Sequence, residues 1–434
     1  MEKVNPKTLS GFMELLPEEQ ILFNKLKDII RDTYEKYGFL PLDTPVIEYS
    51  NVLLAKAGGE TEKQIYRFNK GDNDLSLRFD LTVPLAKYVA KNYNDLIFPF
   101  KRYQIGKVFR GERSQKGRFR EFYQCDIDII GDEKLDLFND AIVPAAINEV
   151  FTKMNIGKFT IRINNRKILN GFFESLGLLD NASDILRDID KIDKIGVSSL
   201  KEILLDKISE DKVNQILDFI SIKGNNDEVI KSLRNLNINN EVFIEGVNEL
   251  EIVVKYMSML EVPKDNYMID LTIARGLDYY TGTVYETILD DYKSIGSISS
   301  GGRYDSLAEY YTDKKLPGVG MSIGLTRLFD QLLDANIIKV EQKTDLDVLI
   351  LPMSDNIEYI LNTMKKLRND NIKVDVCDLS KNTKQKFKYA NRINVKYVVI
   401  IGDDEIKTNT ITLKNMETGE QKNISVAEVK KSLI

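Results

Sequence analysis

The sequence predicts an α+β domain built on an antiparallel sheet, with a helical insertion, followed by a smaller α/β domain. Residues 102–112 and 120–131 are strand-like and are joined by a short polar loop, as in an antiparallel pair. Charged segments with helical periodicity fill residues from about 176 to 255. After residue 345, strand-like and helical segments alternate, which indicates a largely parallel sheet. We therefore expect a first domain at 1–335 that contains the insertion, and a second at 345–434.

The first domain opens with a predicted helix at 17–37, where apolar residues recur at helical spacing and Pro17 suits the first turn. A turn and an extended run follow at 38–49. Residues 63–92 predict a hairpin of two strands and then a helix opened by Pro84. Beyond the insertion, strand character returns in two segments, at 267–291 and 294–304.

The second domain is predicted from five short segments that alternate in type. The strands are expected at 347–352, 372–378 and 396–402, and the helices at 357–370 and 384–394.

The composition excludes several kinds of chemistry. The chain of 434 residues contains no histidine, so it has no imidazole base, no Ser-His-Asp or Cys-His pair and no conventional zinc-ligand set. Its reaction must rely on carboxylates, arginines, tyrosines and the groups of the substrate. The only two cysteines, Cys125 and Cys377, fall in different strand patterns and are expected to be buried free thiols. The sequence shows neither an 18-residue apolar run nor a signal peptide, and we expect a soluble, cytoplasmic protein.

A basic hairpin stands out against the net charge of −6. Residues 101–120 contain eight basic residues and one acid, Glu112. Strand alternation places Arg102, Gln104, Gly106, Val108 and Arg110 on one face of the first strand, and Gln124, Asp126 and Asp128 on one face of the second. A solvated sheet face is one interpretation. The density of arginines, which can hold anions with two hydrogen bonds, favours a site for a polyanion.

A second cluster lies at residues 273–288, where Arg275 precedes three tyrosines and glycines stand at Gly276 and Gly282. A core strand with ordinary bulges would explain the tyrosines but not Arg275. Arg303 and Tyr304 follow a Gly-Gly pair, and Arg327 follows another glycine-spaced run. Neither GxGxxG nor a P-loop is present, so arginines would have to hold any ATP phosphates. Together these residues predict a pocket for an anionic ligand that carries a ring.

These segments resemble those of the histidyl-tRNA synthetases, a family of class II aminoacyl-tRNA synthetases, and the resemblance covers nearly the whole chain. Residues 275–286 (RGLDYYTGTVYE) and 301–305 (GGRYD) resemble the two signature peptides of that family. Residues 38–49, 109–131 and 318–328 resemble class II motifs 1, 2 and 3. The C-terminal segment resembles the family's anticodon-binding domain.

The resemblance implies a class II catalytic domain that activates histidine with ATP and Mg²⁺ and transfers it to the 3′ end of histidine tRNA. It also implies a homodimer formed through motif 1. Catalysis is implied for Arg275, which bridges the α-phosphate and the histidine carboxylate, and for Arg110. The ATP site implied by the resemblance consists of Arg110, Glu112, Arg118 and Arg327. The histidine site comprises Asp80, Thr82 and Gln124 at the amino end and Asp128, Tyr279, Tyr280 and Tyr304 around the side chain. Asp128 is expected to accept a ring N–H. Arg113 and Gln115 are expected to contact the acceptor end of the tRNA, and no protein histidine or cysteine is expected to bind a metal.

Two departures from the family pattern are visible. Asp80 and Asp128 stand where many bacterial members have glutamate, and Ser114 replaces a common proline. Two alternatives share the fold: a regulatory subunit of ATP phosphoribosyltransferase, which typically lacks the anticodon-binding domain, and a sensor of uncharged tRNA, which would lose catalytic arginines. The retained carboxylates, arginines and C-terminal domain favour an active synthetase.

Overall fold

The computed structural model describes residues 3–55, 59–113, 117–189, 191–273 and 280–433. The chain forms two compact units, Met1–Met13 with Leu26–Ile338 and Glu14–Lys25 with Lys339–Ile434. None of the helices in these ranges is long and apolar enough to cross a membrane.

The strands of the described residues are numbered in chain order. They are β1 (Leu40–Pro41), β2 (Ile47–Tyr49), β3 (Arg67–Lys70), β4 (Asn73–Leu77), β5 (Phe100–Phe109), β6 (Glu121–Ile130), β7 (Phe159–Asn165), β8 (Tyr267–Ile269), β9 (Thr283–Leu289), β10 (Ser297–Tyr304), β11 (Gly318–Gly324), β12 (Val348–Pro352), β13 (Val374–Val376), β14 (Tyr397–Ile401), β15 (Ile411–Asn415) and β16 (Gln421–Ile424).

The α-helices are numbered in the same way. They are α1 (Pro17–Lys36), α2 (Ser50–Leu53), α3 (Gly59–Gln64), α4 (Thr82–Lys91), α5 (Phe138–Met154), α6 (Arg166–Ser175), α7 (Ala182–Ile189), α8 (Ile192–Leu205), α9 (Glu210–Ser221), α10 (Asn226–Asn235), α11 (Glu241–Met259), α12 (Leu325–Asp334), α13 (Ile357–Asn369), α14 (Thr383–Arg392), α15 (Asp403–Thr408) and α16 (Val429–Ser432).

The large sheet of the first unit has the order β1-β5-β6-β11-β10-β9-β7-β8. Its inner pairs are antiparallel, whereas the outer pairs β1–β5 and β7–β8 are parallel. The predicted antiparallel sheet is therefore confirmed. In the β5–β6 pair Arg102 lies opposite Asp128 and Gln104 lies opposite Asp126, so the register collects these polar side chains on one face.

The sheet separates an apolar side from a polar side. On β6, the fully buried residues Cys125, Ile127 and Ile129 alternate with the polar residues of the opposite face. Helix α5 packs against β6, β7 and β11, and most of its residues are buried. The core of the unit lies under this helix, and the polar side chains of β6 are left to line a site.

Helices α6 to α11 occupy residues 166–259. Asparagine side chains cap three of them, since Asn165, Asn225 and Asn240 each accept a backbone N–H at the first turn. Phe172 of α6 stacks on Phe219 of α9 with ring centroids 4.1 Å apart. The apolar residues that recur at helical spacing in this region thus form contacts between helices, as Phe172 and Phe219 do.

The sheet of the second unit has the order β13-β12-β14-β15-β16. The predicted strands and helices are present, and β12 is parallel to both β13 and β14. The antiparallel strands β15 and β16 were not predicted, so the sheet is mixed rather than largely parallel. They are short and rich in polar residues; Ile411 and Leu413 of β15 are buried in the core, and the partly buried Ile424 of β16 packs against it.

Smaller predictions near the site also hold. Strands β3 and β4 form the predicted hairpin, and α4 begins at Thr82, two residues before Pro84. Cys125 and Cys377 are both free and buried, as expected.

Candidate active site

A cavity of about 500 Å³ opens on the polar side of the large sheet. We call it the main cavity. Its wall is built by strands β6, β9, β10 and β11, by the start of α4 and by α12. The predicted site residues that line it are Asp80, Thr82, Arg110, Glu112, Arg118, Gln124, Tyr280 and Arg327. Segments far apart in the sequence therefore meet here.

A side pocket with about 20 Å³ of space adjoins the main cavity. Asp128 and Tyr304 line only this pocket, whereas Thr82, Asp126 and Tyr280 line both spaces. The residues predicted for the histidine site that the structure describes, all but Tyr279, therefore line two adjoining spaces. Arg275, Tyr279 and Gln115 lie outside the described residues, and Arg113 is exposed beyond the lining of either space.

The start of α4 provides a fixed carboxylate. Asp80 Oδ1 accepts hydrogen bonds from the backbone N–H groups of Thr82 at 3.1 Å and Val83 at 2.9 Å. Burial raises the pKa of Asp80, while these N–H groups and the nearby Arg110 act against that shift. A carboxylate held in this way can receive an ammonium group.

Gln124 continues the same wall from β6. Its Nε2 donates to Ser322 Oγ at 2.8 Å, which fixes the orientation of the amide. Its Oε1 is buried and has no hydrogen-bond partner among the described residues. The amide oxygen is therefore suited to accept a hydrogen bond from a ligand.

Two arginines also line the main cavity. Arg110 Nε donates to the backbone oxygen of Phe79 at 3.2 Å, and its guanidinium lies over the rings of Phe79 and Phe122. Arg327 Nη2 donates to the backbone oxygen of Ile295 at 2.8 Å. These contacts hold two planar cations against the cavity.

Arg118 and Glu112 belong to the rim of the cavity. The two side chains form an ion pair with a 3.3 Å distance between Arg118 Nη1 and Glu112 Oε2. Because Arg118 is about half exposed, this pair can open at little cost when an anion enters.

Arg303 does not join the anion-binding arginines, contrary to the interpretation of the Gly-Gly-Arg-Tyr segment. Its Nε and Nη2 bind the buried carboxylate of Asp140 at 3.0 and 2.5 Å. The reason is strand alternation: Tyr304 faces the side pocket, so its neighbour Arg303 points to the other side of the sheet, toward α5. Gly282 makes room for this arginine, since a Cβ there would lie 2.9 Å from Arg303 Cδ.

Asp128 is held from two directions in the side pocket. Its Oδ2 lies 2.7 Å from Nη2 of the buried Arg102, and its Oδ1 accepts a hydrogen bond from the Tyr304 hydroxyl at 2.8 Å. A Cβ at Gly320 would lie 2.1 Å from Asp128 Oδ1, so only glycine fits beside this carboxylate. Burial raises the pKa of Asp128, and Arg102 is the main influence in the other direction.

Asp126 was not among the predicted site residues. It lines both spaces, it is 2% exposed, and its Oδ1 has no hydrogen-bond partner among the described residues. Burial raises its pKa to about 7, although Arg102 favours the ionised form. The sequence feature that could have identified Asp126 as a site residue is its position on β6 between Gln124 and Asp128, on the same face of the strand.

The comparisons with known proteins agree with this geometry. Residues 11–328 match the family model for histidyl-tRNA synthetase, and residues 347–434 match the model for the anticodon binding domain. The chain belongs to the histidyl-tRNA synthetase family. The expected family, its class II fold and its enzyme class are confirmed.

Relatives within the histidyl-tRNA synthetase family are similar over their full length. A histidine–tRNA ligase of Clostridium tetani is 58% identical over 98% of this chain and 97% of its own length. A histidine–tRNA ligase of Finegoldia magna is 51% identical over 98% of this chain and 99% of its own. The crystal structure of histidyl-tRNA synthetase from Nostoc sp. PCC 7120 has a TM-score of 0.93 at 42% identity and covers 99% of both chains.

A more distant similarity bears on the regulatory-subunit alternative. A Bacillus halodurans structure described as an ATP phosphoribosyltransferase regulatory subunit/histidyl-tRNA synthetase has a TM-score of 0.75 at 21% identity, covering 90% of this chain and 97% of that chain. Identity this low shows a shared fold alone. The whole-length identity to histidine–tRNA ligases and the matched anticodon binding domain favour the synthetase.

Proposed function

We propose that this chain activates histidine with ATP in the main cavity and transfers it to the 3′ end of histidine tRNA. The observation that carries the proposal is the arrangement of charge. Carboxylates and polar groups lie at the end next to the side pocket, and Arg110 and Arg327 lie in the same cavity. An amino acid and a polyphosphate can therefore bind side by side.

The first step joins the two substrates. An oxygen of the histidine carboxylate attacks the α-phosphorus of ATP, the bond to the β-phosphate breaks, and pyrophosphate leaves. Two anions meet in this step, so fixed cations are the main catalytic device. We assign Arg110 and Arg327 to the phosphates and Arg275 to the contact between the α-phosphate and the carboxylate. No protein base is needed, because the carboxylate is already ionised.

The amino end of histidine is assigned to Asp80, Thr82 and Gln124. Asp80 supplies the negative charge for the ammonium group, and Gln124 Oε1 supplies a second acceptor. The side chain then extends toward Tyr280, Tyr304 and Asp128. A ring without matching N–H groups leaves buried polar atoms unpaired, which supports selection of histidine.

Mg²⁺ fits this site as a partner of ATP. Magnesium is usually held by one or two carboxylates together with substrate phosphates. Glu112 and Glu286 line the main cavity and have the appropriate oxygen ligands. When bound, the ion supplies charge neutralisation at the phosphates.

The second step transfers histidine to the tRNA. A ribose hydroxyl at the 3′ end attacks the activated carbonyl carbon, the bond from that carbon to the phosphate oxygen breaks, and AMP leaves with the hydroxyl proton on a phosphate oxygen. We assign Arg113 and Gln115 to the acceptor end, because they lie between the motif 2 strands, and the C-terminal domain to the anticodon. A cytoplasmic location is part of the proposal.

Dimerisation through the motif 1 region is also part of this proposal. Leu40, Ile47 and Tyr49 are large apolar residues with exposed fractions of 60%, 47% and 56%. Exposed large apolar residues within one short segment are consistent with a surface that a partner covers. Ile47→Asp should convert a dimer to a monomer in light scattering coupled to size exclusion. A wild-type monomer at micromolar concentration would refute this part.

The direct test of the proposed function is a charging assay. Purified protein is expected to attach radiolabelled histidine to a histidine tRNA transcript and not to a transcript for another amino acid. Arg327→Ala should abolish charging, whereas Arg187→Ala, which changes an exposed arginine of α7, should leave it intact. Charging of a different amino acid would overturn the assignment.

A further inference from the structure

Segment 273–282, which contains Arg275, contributes two described residues to the wall of the main cavity. These are Ile273 and Tyr280. Residues 274–279, with Arg275 among them, lie outside the described residues. What holds the segment is therefore seen at its two ends, Ile273 and Gly282.

Both ends are held by one short stretch of chain, residues 164–166, where strand β7 passes into helix α6. We call this stretch the β7–α6 junction. Nδ2 of the fully buried Asn164 donates to the backbone oxygen of Ile273 at 3.0 Å. The backbone N–H of Arg166 donates to the backbone oxygen of Gly282 at 2.9 Å. A shift of the junction would therefore move both ends of the segment together.

Asn165, in the middle of the junction, is held by helix α11. Its Oδ1 caps α6 by accepting the backbone N–H of Lys167 at 2.9 Å, and its Nδ2 donates to Glu249 Oε2 at 2.9 Å. Glu249 Oε1 also lies 2.6 Å from Lys167 Nζ. Because the Glu249 side chain is only 14% exposed, solvent and salt screen these contacts little.

Helix α11 is itself firmly placed. A Cβ at Gly246 of α11 would lie 2.7 Å from the backbone nitrogen of Ile168 in α6, so the two helices meet backbone to backbone at this point. Helix α11 also packs against α5 and β7. Close packing of this kind does not deform gradually, and it keeps Glu249 beside the junction.

We propose that Asn165 and Glu249 are positioning residues for Arg275, and that they act by fixing the β7–α6 junction. Neither residue lines the main cavity or the side pocket, so their effect on the reaction passes through Ile273 and Gly282. This inference rests on the proposed function, because it explains how the segment that carries the catalytic arginine is oriented. It also gives the helical insertion a role in the activation of histidine, through Glu249.

The test reverses the contact between Asn165 and Glu249. Asn165→Asp keeps a side-chain oxygen that caps α6 but sets two carboxylates against each other. The double variant Asn165→Asp/Glu249→Gln restores one donor and one acceptor in the opposite order. Histidine-dependent exchange of pyrophosphate into ATP gives kcat and the KM of each substrate, and urea titration gives the stability of each variant.

Asn165→Asp should lower kcat by about 10- to 100-fold, the effect of a small displacement of a catalytic group. The KM values of histidine and ATP should stay within a few-fold of wild type, because the displaced group acts mainly in the transition state. The double variant should regain most of the lost kcat.

A control in the same insertion separates positioning from stability. Asp188 is buried and pairs with Lys191 and Lys207, and none of these residues touches the β7–α6 junction among the described contacts. Asp188→Asn should lower the stability of the protein and leave kcat unchanged. A loss of kcat as large as that in Asn165→Asp would overturn the inference, since activity would then follow stability.

The remaining outcomes distinguish this inference from the proposed function. If wild type shows no histidine-dependent exchange, the proposed function fails. If wild type is active but Asn165→Asp keeps its kcat, or if the double variant is as slow as the single variant, only the positioning role fails.

Asn165→Ser keeps the inference testable should Asn165→Asp fail to fold. Serine is a good N-cap, and it removes the donor to Glu249 without adding a charge. The same fall in kcat at unchanged KM is expected. A normal kcat in the folded serine variant would overturn the inference.

Discussion

Arg102 and Asp128 face each other across β5 and β6, with 2.7 Å between Nη2 and Oδ2, and both side chains are almost completely shielded from solvent. Removing one member of a buried ion pair leaves the other charge unpaired, which typically costs about 3–5 kcal/mol. We therefore expect Arg102→Met to lower the free energy of unfolding by that amount in urea titrations at pH 8. The double variant Arg102→Met/Asp128→Asn should recover part of the loss. A single variant as stable as wild type would contradict the pairing.

The stability of the fold should also depend on Asp126. Its pKa rises from 3.8 in the unfolded chain to about 7 in the folded protein, so the folded state binds more protons between these values. The contribution of this group is then favourable at low pH and is lost as the pH rises through 7. Asp126→Asn should be more stable than wild type at pH 8, by on the order of 4 kcal/mol, with the difference shrinking toward pH 4. A difference independent of pH, measured without ligands, would show that Asp126 does not titrate in this way.

Arg275→Lys should lose far more activity than a change of a surface arginine. A lysine is a point charge, whereas the planar guanidinium can bridge two anionic oxygens. The loss of one such donor costs about 100- to 1000-fold in turnover. Steady-state pyrophosphate exchange measures the effect, and Arg187→Lys, at an exposed position on α7, is the control. Near-normal exchange by a folded Arg275→Lys protein would remove Arg275 from the catalytic residues.

Substitutions in the motif 2 loop should slow only the transfer of histidine to tRNA. Alanine at Arg113 or Gln115 removes donors suited to phosphates and base edges. We expect slower aminoacylation and unchanged pyrophosphate exchange in both variants. Equal damage to the two reactions would place this loop in the ATP site instead.

The absence of histidine from the sequence predicts how activity depends on pH, and the structure adds one carboxylate, Asp126, to that prediction. No protein imidazole can titrate in a profile of kcat at saturating substrates. Yet Asp126, with a pKa of about 7 in the ligand-free protein, can titrate in the same range in a profile of kcat/KM, which reports on the free enzyme. An inflection near neutral pH that disappears in Asp126→Asn would assign it to this carboxylate, whereas an inflection that persists would come from another group.

Much of the catalytic fold could be predicted from local patterns. Strand alternation placed Gln124, Asp126 and Asp128 on one face of β6, and the register opposite Arg102 and Gln104 agrees with it. The glycine-rich and arginine-rich segments supplied most residues that line the main cavity. These features are local, because they depend on spacing along one strand or turn.

The remaining features depend on contacts between distant segments. Arg303 binds Asp140, which is 163 residues away in the chain, and no local pattern distinguishes a buried structural arginine from one that binds an anion. Asp126 was passed over because its unpartnered oxygen appears only when β6, β11 and the start of α4 enclose it. Strands β15 and β16 have few apolar residues, so alternation was too weak to predict them.

Histidine-dependent exchange of pyrophosphate into ATP tests the central claim most directly, because it reports on activation in the main cavity without any contribution from tRNA. We predict exchange with histidine, little or none with the other amino acids, and loss of exchange in Arg110→Ala, whose guanidinium lies against the cavity. Exchange that does not require histidine, or that survives unchanged in Arg110→Ala, would contradict the account.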